Sequence, residues 1–599
     1  MFHNKSILII LVFLSFFSVA QAQEKKDSIY YKIEEFSDKR KFTKFLHRFI
    51  FRREADSASV SSRKEKQSQE SYDGKFIRNV RIETIDPFGY NTKEKKEKSK
   101  WYDWFTNHLH SNTRISTVNN YLLFRKGEAY NAQKLYESER LLRQMNFVNR
   151  VHISVENSSS DSVDVAVKVL DSWSLKPRLS YSGSKIGLGI TEENLLGLGH
   201  EVDFLYRNDS KEKQDYFYGS YLANNLFGSY INAQILGERD FFKNERINVS
   251  AKRDFFSPLT KWAGGFTFEY FMRNVALPKE DLSAFPAVQI KVYSQDLWGG
   301  YQIPVSANSD ERISSNIALI GRFQNCQYKD SPGIDQLNYF RSYNSFLASA
   351  GFIQRKFSVQ QQVFQYDLPE DIPYGNSFSL TAGLLSRSKE VVPYAGISAA
   401  YGDFTNVGYF NIKAQFGRFF NEGKINRDAF RVDGTYFTNL MDWKFAKVRH
   451  FFSPTLALGN PRNNYSYRDR INLSAQDEFP VYNYDYIGTK KLVLRYQLQF
   501  FINKTWKNFH FSPYITTAFG WLGMPEEKLL KTNVNTKIGI GVLINNPYLV
   551  FNRIQLSLMY YPKVPFDNSS AFDFNSYRNN MMPMNSFAAE VPHFVNFGN

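Results

Sequence analysis

The amino-acid sequence predicts a mainly β protein: a transmembrane antiparallel β-barrel preceded by one small α/β domain. Apolar and polar residues alternate with period two from Lys176 onward. Aromatic residues make up 17% of the chain although the mean hydropathy is −0.44, a combination that suits aromatic girdles around a polar interior. Beyond the N-terminus, no apolar stretch reaches the roughly 20 residues that a transmembrane helix needs. Strands are therefore the elements expected to cross a membrane.

The N-terminus predicts export. Lys5 precedes an apolar run over residues 7–19, and Ala20-Gln21-Ala22 matches the cleavage pattern of a secretory signal peptide. We therefore expect a signal peptide at residues 1–22.

Residues 23–73 are expected to connect the signal peptide to the first domain. Residues 28–53 carry apolar side chains at helical spacing between lysines and arginines, which predicts an amphipathic basic helix. This helix could lie on a membrane surface or pack on the next domain. Residues 55–72 are rich in Ser, Lys and Glu and predict a flexible linker.

Residues 74–175 predict the small α/β domain. The expected elements are a strand at 76–85, helices at about 117–124 and 132–145, and strands at 151–155 and 163–169. Valines at 163, 165, 167 and 169 should line one face of the last strand. The β-α-α-β-β order predicts a small sheet covered by two helices on one side. An insertion at 86–114 combines a basic run with aromatic residues, which suits a membrane interface or a loop packed on the sheet.

Residues 176–599 predict the barrel. Leu492, Leu494 and Leu498 alternate with polar residues such as Arg495 and Gln497. This alternation is typical of strands with one face toward lipid and the other toward a watery lumen. A soluble β-sandwich would alternate too, but with shorter strands and fewer aromatics. Strand signals give about 16 to 19 candidate strands.

Two stretches resemble a known family. GLGITEENLLGLGHEV, at 187–202, resembles the start of the barrel in the BamA/TamA outer-membrane assembly superfamily, also called the bacterial surface antigen family. LLFRKGEAYNAQKLYESERLLRQMNFVNRVHISV resembles the second half of a POTRA domain, with Phe147 and Val151 at the entry to the strand that follows the second helix. The resemblance implies a diverged member with a single POTRA domain and a barrel of about 16 strands, an even number that suits closure.

The same resemblance places the end of the barrel. Five segments match the order of the family's final five strands: 490–502, 509–519, 532–543, 552–561 and 591–597. A seam is expected between the first strand, at 177–183, and the last. Pro592 would remove one hydrogen-bond donor at the start of that last strand, and Phe597 lies at its end.

The family also has a long loop that folds into the barrel and carries an Arg-Gly-aromatic tripeptide. By order, that loop is at about 460–489, and Gly488 precedes a strand as the family pattern expects. The chain contains no Arg-Gly dipeptide, so its tripeptide is missing. The local candidates for the luminal-loop residues are Arg468, Arg470, Asp477, Glu478 and Phe479.

No motif indicates an enzyme. The chain lacks the G-x-S-x-G, P-loop and zinc-helix patterns, so we expect neither catalysis nor a cofactor. Glu370-Asp371 stands in a Pro/Gly turn, where a solvated turn is expected rather than a calcium site. The formal net charge is +16, but export removes nucleic acid as a partner.

Three functions remain open from the sequence. The first is a transporter that inserts or translocates proteins or lipids at the outer membrane of a Gram-negative bacterium, with the POTRA arm in the periplasm. Its partners would be outer-membrane lipids or lipopolysaccharide, unfolded protein or lipid clients, and accessory lipoproteins. The second is a passive, porin-like channel, and the third is a secreted β-rich structural protein.

Overall fold

The computed structural model describes most of the two predicted folded parts. The described residues are 72–87, 111–182, 184–276, 287–307, 314–329, 341–366, 368–387, 390–420, 427–460, 471–473, 479, 487–506, 509–524, 526–545, 554–563, 571–574 and 584–595. The predicted signal peptide, the amphipathic helix and most of the 86–114 insertion lie outside these residues. Among the described residues, no helix has the length and apolar character to cross a membrane.

The small domain has the β-α-α-β-β order predicted from the sequence. Its elements are β1 (Phe76–Ile85), α1 (Ile115–Tyr121), α2 (Ala132–Arg143), β2 (Val148–Ser158) and β3 (Ser162–Asp171). The sheet order is β1-β3-β2, with β1 parallel and β2 antiparallel to β3. Helix α2 begins where the Asn131 side chain accepts a hydrogen bond from the Lys134 N–H, a regular N-cap.

The core of the small domain is the valine stripe of β3. Val163, Val165, Val167 and Val169 are all buried, so the predicted face is confirmed. Phe147 and Leu142 pack in the same cluster, between the helices and the sheet. Because β-branched side chains fit a pleated, half-buried surface, this stripe stabilises the strand as well as the core.

Within the described residues, the rest of the chain forms a closed antiparallel barrel of 20 strands. The first ten are β4 (Leu175–Ser182), β5 (Lys185–Leu195), β6 (His200–Asp209), β7 (Gln214–Ala223), β8 (Asn232–Arg239), β9 (Glu245–Arg253), β10 (Trp262–Ala276), β11 (Ala287–Ala307), β12 (Ser314–Tyr328) and β13 (Tyr343–Gln360). The next four are β14 (Glu370–Arg387), β15 (Glu390–Thr405), β16 (Gly408–Phe419) and β17 (Arg427–Thr438).

The remaining wall strands are β19 (Ala446–Asn460), β22 (Lys490–Ile502), β23 (His510–Gly523), β24 (Val534–Asn545), β25 (Ile554–Tyr561) and β26 (Ala571–Phe574). The short β18 (Met441–Asp442) extends the hairpin between β17 and β19. Two further short strands, β20 (Ile471–Asn472) and β21 (Ile487–Gly488), pair with each other. Each wall strand pairs with its sequence neighbours, and β26 pairs with β4 to close the ring.

The barrel is apolar outside and polar inside. In β22, Lys491, Arg495 and Gln499 are buried, whereas Leu492 and Leu494 on the other face are partly exposed. Large apolar side chains also point outward from β10 and β11, where Phe266 and Leu297 are neighbours. This arrangement is the reverse of a soluble core and suits a surface surrounded by lipid.

Two expectations about the barrel were wrong. The wall has 20 strands rather than about 16, a number that came from the family resemblance; the count from strand signals, about 16 to 19, was also too low. The last strand is β26, not the segment at 591–597. Residues 584–595 form no strand at all. The first strand was placed well: 177–183 was expected, and β4 is Leu175–Ser182.

Candidate functional site: the barrel lumen and its seam

The lumen is lined by polar side chains. On the β22 side, Arg495 donates to Thr455 of β19 at 3.0 Å, and Gln499 donates to the Ser512 carbonyl at 3.0 Å. Opposite, Arg322 of β12 is held by the two carboxylate oxygens of Asp296, with the shorter contact at 2.5 Å. These networks fix charged groups in a polar wall, where each has a hydrogen-bond partner.

Part of the long loop between β19 and β22 lies inside the barrel, and we call the described residues 471–473 and 479 the inner loop. Leu473 and Phe479 are buried in a cluster with residues of β19 and β22–β25. A Cβ atom added at Gly520 of β23 would lie 2.9 Å from the Phe479 ring, so a glycine is required there for the loop to approach. The position of the loop agrees with the sequence expectation for residues 460–489.

Of the other predicted loop residues, Gly488 is described by the structure and the remaining four are not. Gly488 pairs with Ile471 through β20–β21 and passes close to β23, where an added Cβ would lie 2.8 Å from the Gly523 carbonyl oxygen. Arg468, Arg470, Asp477 and Glu478 lie outside the described residues.

A second stretch of chain lies in the lumen on the neighbouring part of the wall, against β12, β15 and β16. We call residues 584–595 the luminal segment. Met584 packs on a cluster near the end of the barrel where the small domain sits, next to Phe364 and Phe437. The segment then follows the inner faces of β15 and β16 toward the other end, where Phe594 lies against Tyr394 and Phe419. It therefore lines nearly the full height of the wall.

Main-chain atoms of the luminal segment are bound by side chains of the wall. Asn411 of β16 donates to the Asn585 carbonyl at 3.2 Å, and Arg322 of β12 donates to the Pro592 carbonyl at 2.9 Å. The Val595 N–H donates to the Tyr394 hydroxyl at 2.8 Å. An ion pair adds a side-chain anchor, with Lys413 Nζ 2.6 Å from both carboxylate oxygens of Glu590.

This placement corrects the expectation for Pro592. It does not begin a last strand; its carbonyl accepts a hydrogen bond inside the lumen. Two sequence signals argued against a strand: the proline, and the adjacent apolar pair Phe594-Val595, which breaks the alternation. Phe597, predicted at the strand end, lies outside the described residues.

The seam is the pairing of β26 with β4. Among the described residues, two register pairs join the strands: Asp573 with Ser182 and Phe574 with Tyr181. Elsewhere the ladders are longer; β13 and β14 pair along 18 residues each. The seam is therefore the shortest ladder of the described wall, and β4 leads directly from β3 of the small domain.

The small domain docks on the turns at one end of the barrel. Thr117 of α1 donates to the Gly197 carbonyl at 2.7 Å, and Asn225 donates to the Asn120 carbonyl at 3.0 Å. In the same β5–β6 turn, the Asn194 side chain accepts from the Gly199 N–H at 2.7 Å. Gly197 has a φ of +73°, and a Cβ there would lie 2.2 Å from the Asn112 carbonyl. The glycines of this turn thus allow close contact between the domain and the barrel.

A buried ion pair continues this contact at the start of β14. Arg143 of α2 lies 2.8 Å from Asp371, and the two side chains are only 13% and 4% exposed. Burial lowers the pKa of the Arg143 guanidinium, but Asp371 and Glu139 outweigh this effect and the pKa is raised, so the group stays charged.

The neighbouring Glu370 closes the turn before β14. It accepts hydrogen bonds from the N–H groups of Val363, Phe364 and Gln365. The prediction of a solvated turn at Glu370-Asp371 was therefore wrong, because the docked domain and the turn itself cover both carboxylates. The described residues contain no cluster of three His, Cys, Asp or Glu side chains arranged to hold a metal ion.

No protein-family model matches the chain, and no curated protein does. Among solved structures, the chain is similar to CdiB from Escherichia coli, with 10% identity, a TM-score of 0.42, and 93% of this chain and 99% of that chain covered. It is also similar to CdiB from Acinetobacter baumannii, with 10% identity, a TM-score of 0.38 and coverage of 83% and 73%. A third similar structure is BamA from Haemophilus ducreyi lacking POTRA domains 1–3, with 12% identity, a TM-score of 0.32 and coverage of 83% of each chain. At such low identities and TM-scores, no residue role is transferred from these proteins.

Proposed function

We propose that this chain is an outer-membrane protein of a Gram-negative bacterium that assists the insertion or translocation of proteins or lipids. In this proposal the small domain is a periplasmic POTRA-type arm and the seam between β26 and β4 opens sideways. The observation that carries the proposal is the seam itself, with two register pairs where other ladders have many more.

The energetics favour opening at this place. Opening the seam breaks two register pairs of the described wall, whereas β13 and β14 share 18, so far fewer hydrogen bonds are lost here. An unsatisfied backbone group in hydrocarbon costs several kcal/mol, which gives an opened edge a strong tendency to pair with another strand. A client strand that adds to β4 or β26 would satisfy those groups, in the manner of β-augmentation.

The arm offers a place for a client to arrive. Within the described residues, β1 and β2 are the two edges of its sheet. The start of β1 already bonds residues 127–130, so an extended polypeptide could add to the later part of β1 or to β2. Only residues 172–174 separate β3 from β4, so the arm ends at the seam. Unfolded protein or lipid clients and outer-membrane lipids are the partners we propose, with accessory lipoproteins as further ones.

The occupied lumen supports a transporter over a passive channel. The inner loop fills the side of β19 and β22–β25, and the luminal segment fills the side of β12, β15 and β16. An open pore would need both to be displaced. We propose no catalytic role, because strand exchange requires hydrogen bonding and no bond chemistry.

Locking the seam tests the proposal. Tyr181 and Phe574 are register partners and both are exposed, at 55% and 47%. Opposed Cα atoms in a ladder are about 4.5–5.5 Å apart, which suits a disulfide. Tyr181→Cys with Phe574→Cys, in a Cys326→Ala background, should reduce outer-membrane protein or lipid content under oxidising conditions. Reductant should restore it, as measured by proteomic and lipid inventory.

A matched lock elsewhere is the control. Phe266→Cys with Leu297→Cys joins exposed register partners of β10 and β11, far along the wall from the seam. This disulfide should leave the inventory unchanged. If the seam lock forms and no protein or lipid class changes, the transporter proposal fails.

A further inference from the structure

The wall recognises the main chain of the luminal segment. Arg322, Tyr394 and Asn411 each bond a peptide carbonyl or N–H of residues 584–595, and none of these contacts depends on a side chain of the segment. The segment makes no strand ladder with the wall. Contacts of this kind would hold an extended polypeptide of another sequence equally well.

Four side chains of the segment supply further contacts, and one of these is His593, which lies 3.3 Å from the Gln415 side chain of β16. The Phe587 ring lies over Gly402, where an added Cβ would approach it to 2.8 Å. Glu590 pairs with Lys413 at 2.6 Å. Phe594 lies edge-on to Tyr394, with ring centroids 4.9 Å apart. The wall therefore selects an acidic residue flanked by aromatic residues three positions before it and four after.

The segment fits this wall imperfectly. Phe587 has a φ of +48°, a left-handed conformation that is strained for a bulky residue. The side-chain nitrogen of Asn585 is buried without a hydrogen-bond partner. A cavity of about 20 Å³, large enough for a water molecule, lies between the segment and polar residues such as Thr381 and Gln415. A strained contact that leaves polar space unfilled is one that another peptide can replace.

We propose that the inner wall around Arg322, Tyr394, Asn411 and Lys413 is a binding track for an extended polypeptide, and that residues 584–595 occupy it when no other peptide is bound. The proposal rests on the proposed function, which supplies unfolded polypeptides as clients. It adds a second peptide site inside the barrel, on the part of the wall next to the inner loop and away from the seam. Entry of a client would require the luminal segment to leave.

A labelled peptide tests the track directly. The probe is a fluorescent synthetic peptide with the sequence of residues 584–595, measured by anisotropy with the purified barrel in detergent. The chain truncated after residue 583 should bind it. The full chain should bind at least tenfold more weakly, because its tethered segment competes at an effective concentration on the order of millimolar. If the truncated chain is folded and does not bind, or if both chains bind equally, the proposal fails.

Charge reversal identifies the site. Lys413→Glu in the truncated chain should weaken binding of the probe, and a probe carrying Glu590→Lys should recover it. Arg246→Ala is the matched control, since Arg246 pairs with Glu269 away from the luminal segment. Equal binding by the parent and Lys413→Glu chains would overturn the assignment of the site.

Two further arms complete the test. A peptide that keeps Phe587, Glu590 and Phe594 but changes every other residue should bind like the probe. A scrambled peptide should bind more weakly. If the first peptide does not bind, residues 584–595 are only a structural part of this barrel, and the proposal fails. If the truncated chain does not fold, the full chain with Glu590→Lys replaces it and should bind the probe more tightly than the parent. Failure here leaves the seam-lock result untouched, so the two proposals are separable.

Discussion

Arg143 and Asp371 stand 228 positions apart in the sequence and form one buried ion pair between the small domain and the barrel. Removing one partner of such a pair leaves the other charge in a dry environment, which costs more than the pair itself contributes. This contact is therefore sensitive to substitution even though the arm could fold around its own valine core.

Arg143→Ala should loosen the docking of the small domain by about 3–5 kcal/mol, because Asp371 then stays buried and uncompensated. Hydrogen exchange in α2 and protease cleavage between β3 and β4 should both accelerate. Arg78→Ala is the control, since Arg78 pairs with Asp164 on an exposed face of the same domain. Unchanged exchange in α2 would show that the pair does not hold the domain.

Gly197→Ala should disturb the same interface. The added methyl group would meet the Asn112 carbonyl oxygen, and the left-handed backbone alone costs a non-glycine residue about 1–2 kcal/mol. Gly219→Ala in β7 is the matched change, because no atom lies within 4 Å of its added Cβ. Thermal melts should show a lower midpoint for Gly197→Ala only; equal midpoints would contradict the proposed close approach.

At the scale of elements, the inner loop is held by a few apolar side chains in an otherwise polar lumen. Phe479→Ala should remove the ring that covers Gly520 and leave a cavity, with a loss of about 3–5 kcal/mol. Faster proteolysis of residues 460–489 would report it. Phe346→Ala, on the exposed outer face of β13, should leave this cleavage rate unchanged. Equal rates in both variants would place the loop outside the lumen.

The elements also show where sequence patterns are reliable. The residues of β22 and the valines of β3 occupy the predicted faces, because successive side chains of a strand point to opposite faces and the sequence alternates with the same period. The segment at 591–597 was misassigned because short apolar runs do not reveal whether a partner strand is available. Its proline and its broken alternation at Phe594-Val595 were the local signs against a strand ladder.

At the scale of the whole molecule, the ladders of the barrel wall differ in the number of register pairs that hold neighbouring strands together. Backbone amides of β26 and of the seam side of β4 should exchange with deuterium at least about 100-fold faster than those of β13 and β14, because opening the seam breaks only two register pairs. Exchange mass spectrometry in detergent or nanodiscs measures the difference. Uniform protection around the barrel would argue against a lateral opening.

A closed barrel with an apolar exterior should also resist mild denaturation as one unit. The purified chain should migrate faster on a denaturing gel when unboiled than when boiled, because the intact ladders keep it compact. It should fractionate with outer membranes. A chain without this mobility shift would not be a membrane barrel.

The sequence by itself determined the two-part architecture and the inward and outward faces of the strands. These follow from local periodicity, which each segment carries on its own. The position of the inner loop was expected only from the family resemblance. The sequence did not determine the strand number, because that number depends on which strands pair to close the wall.

Only the tertiary structure decided the rest. The closing pair of strands, the docking of the arm by Arg143 and the path of residues 584–595 depend on contacts between residues far apart in the chain. Such contacts are chosen by the geometry of the closed wall, which leaves a two-pair seam on one side and a bound stretch of its own chain on the other. No local sequence pattern determines these contacts. Residues 584–595, for example, could form a strand if a partner strand were available beside them.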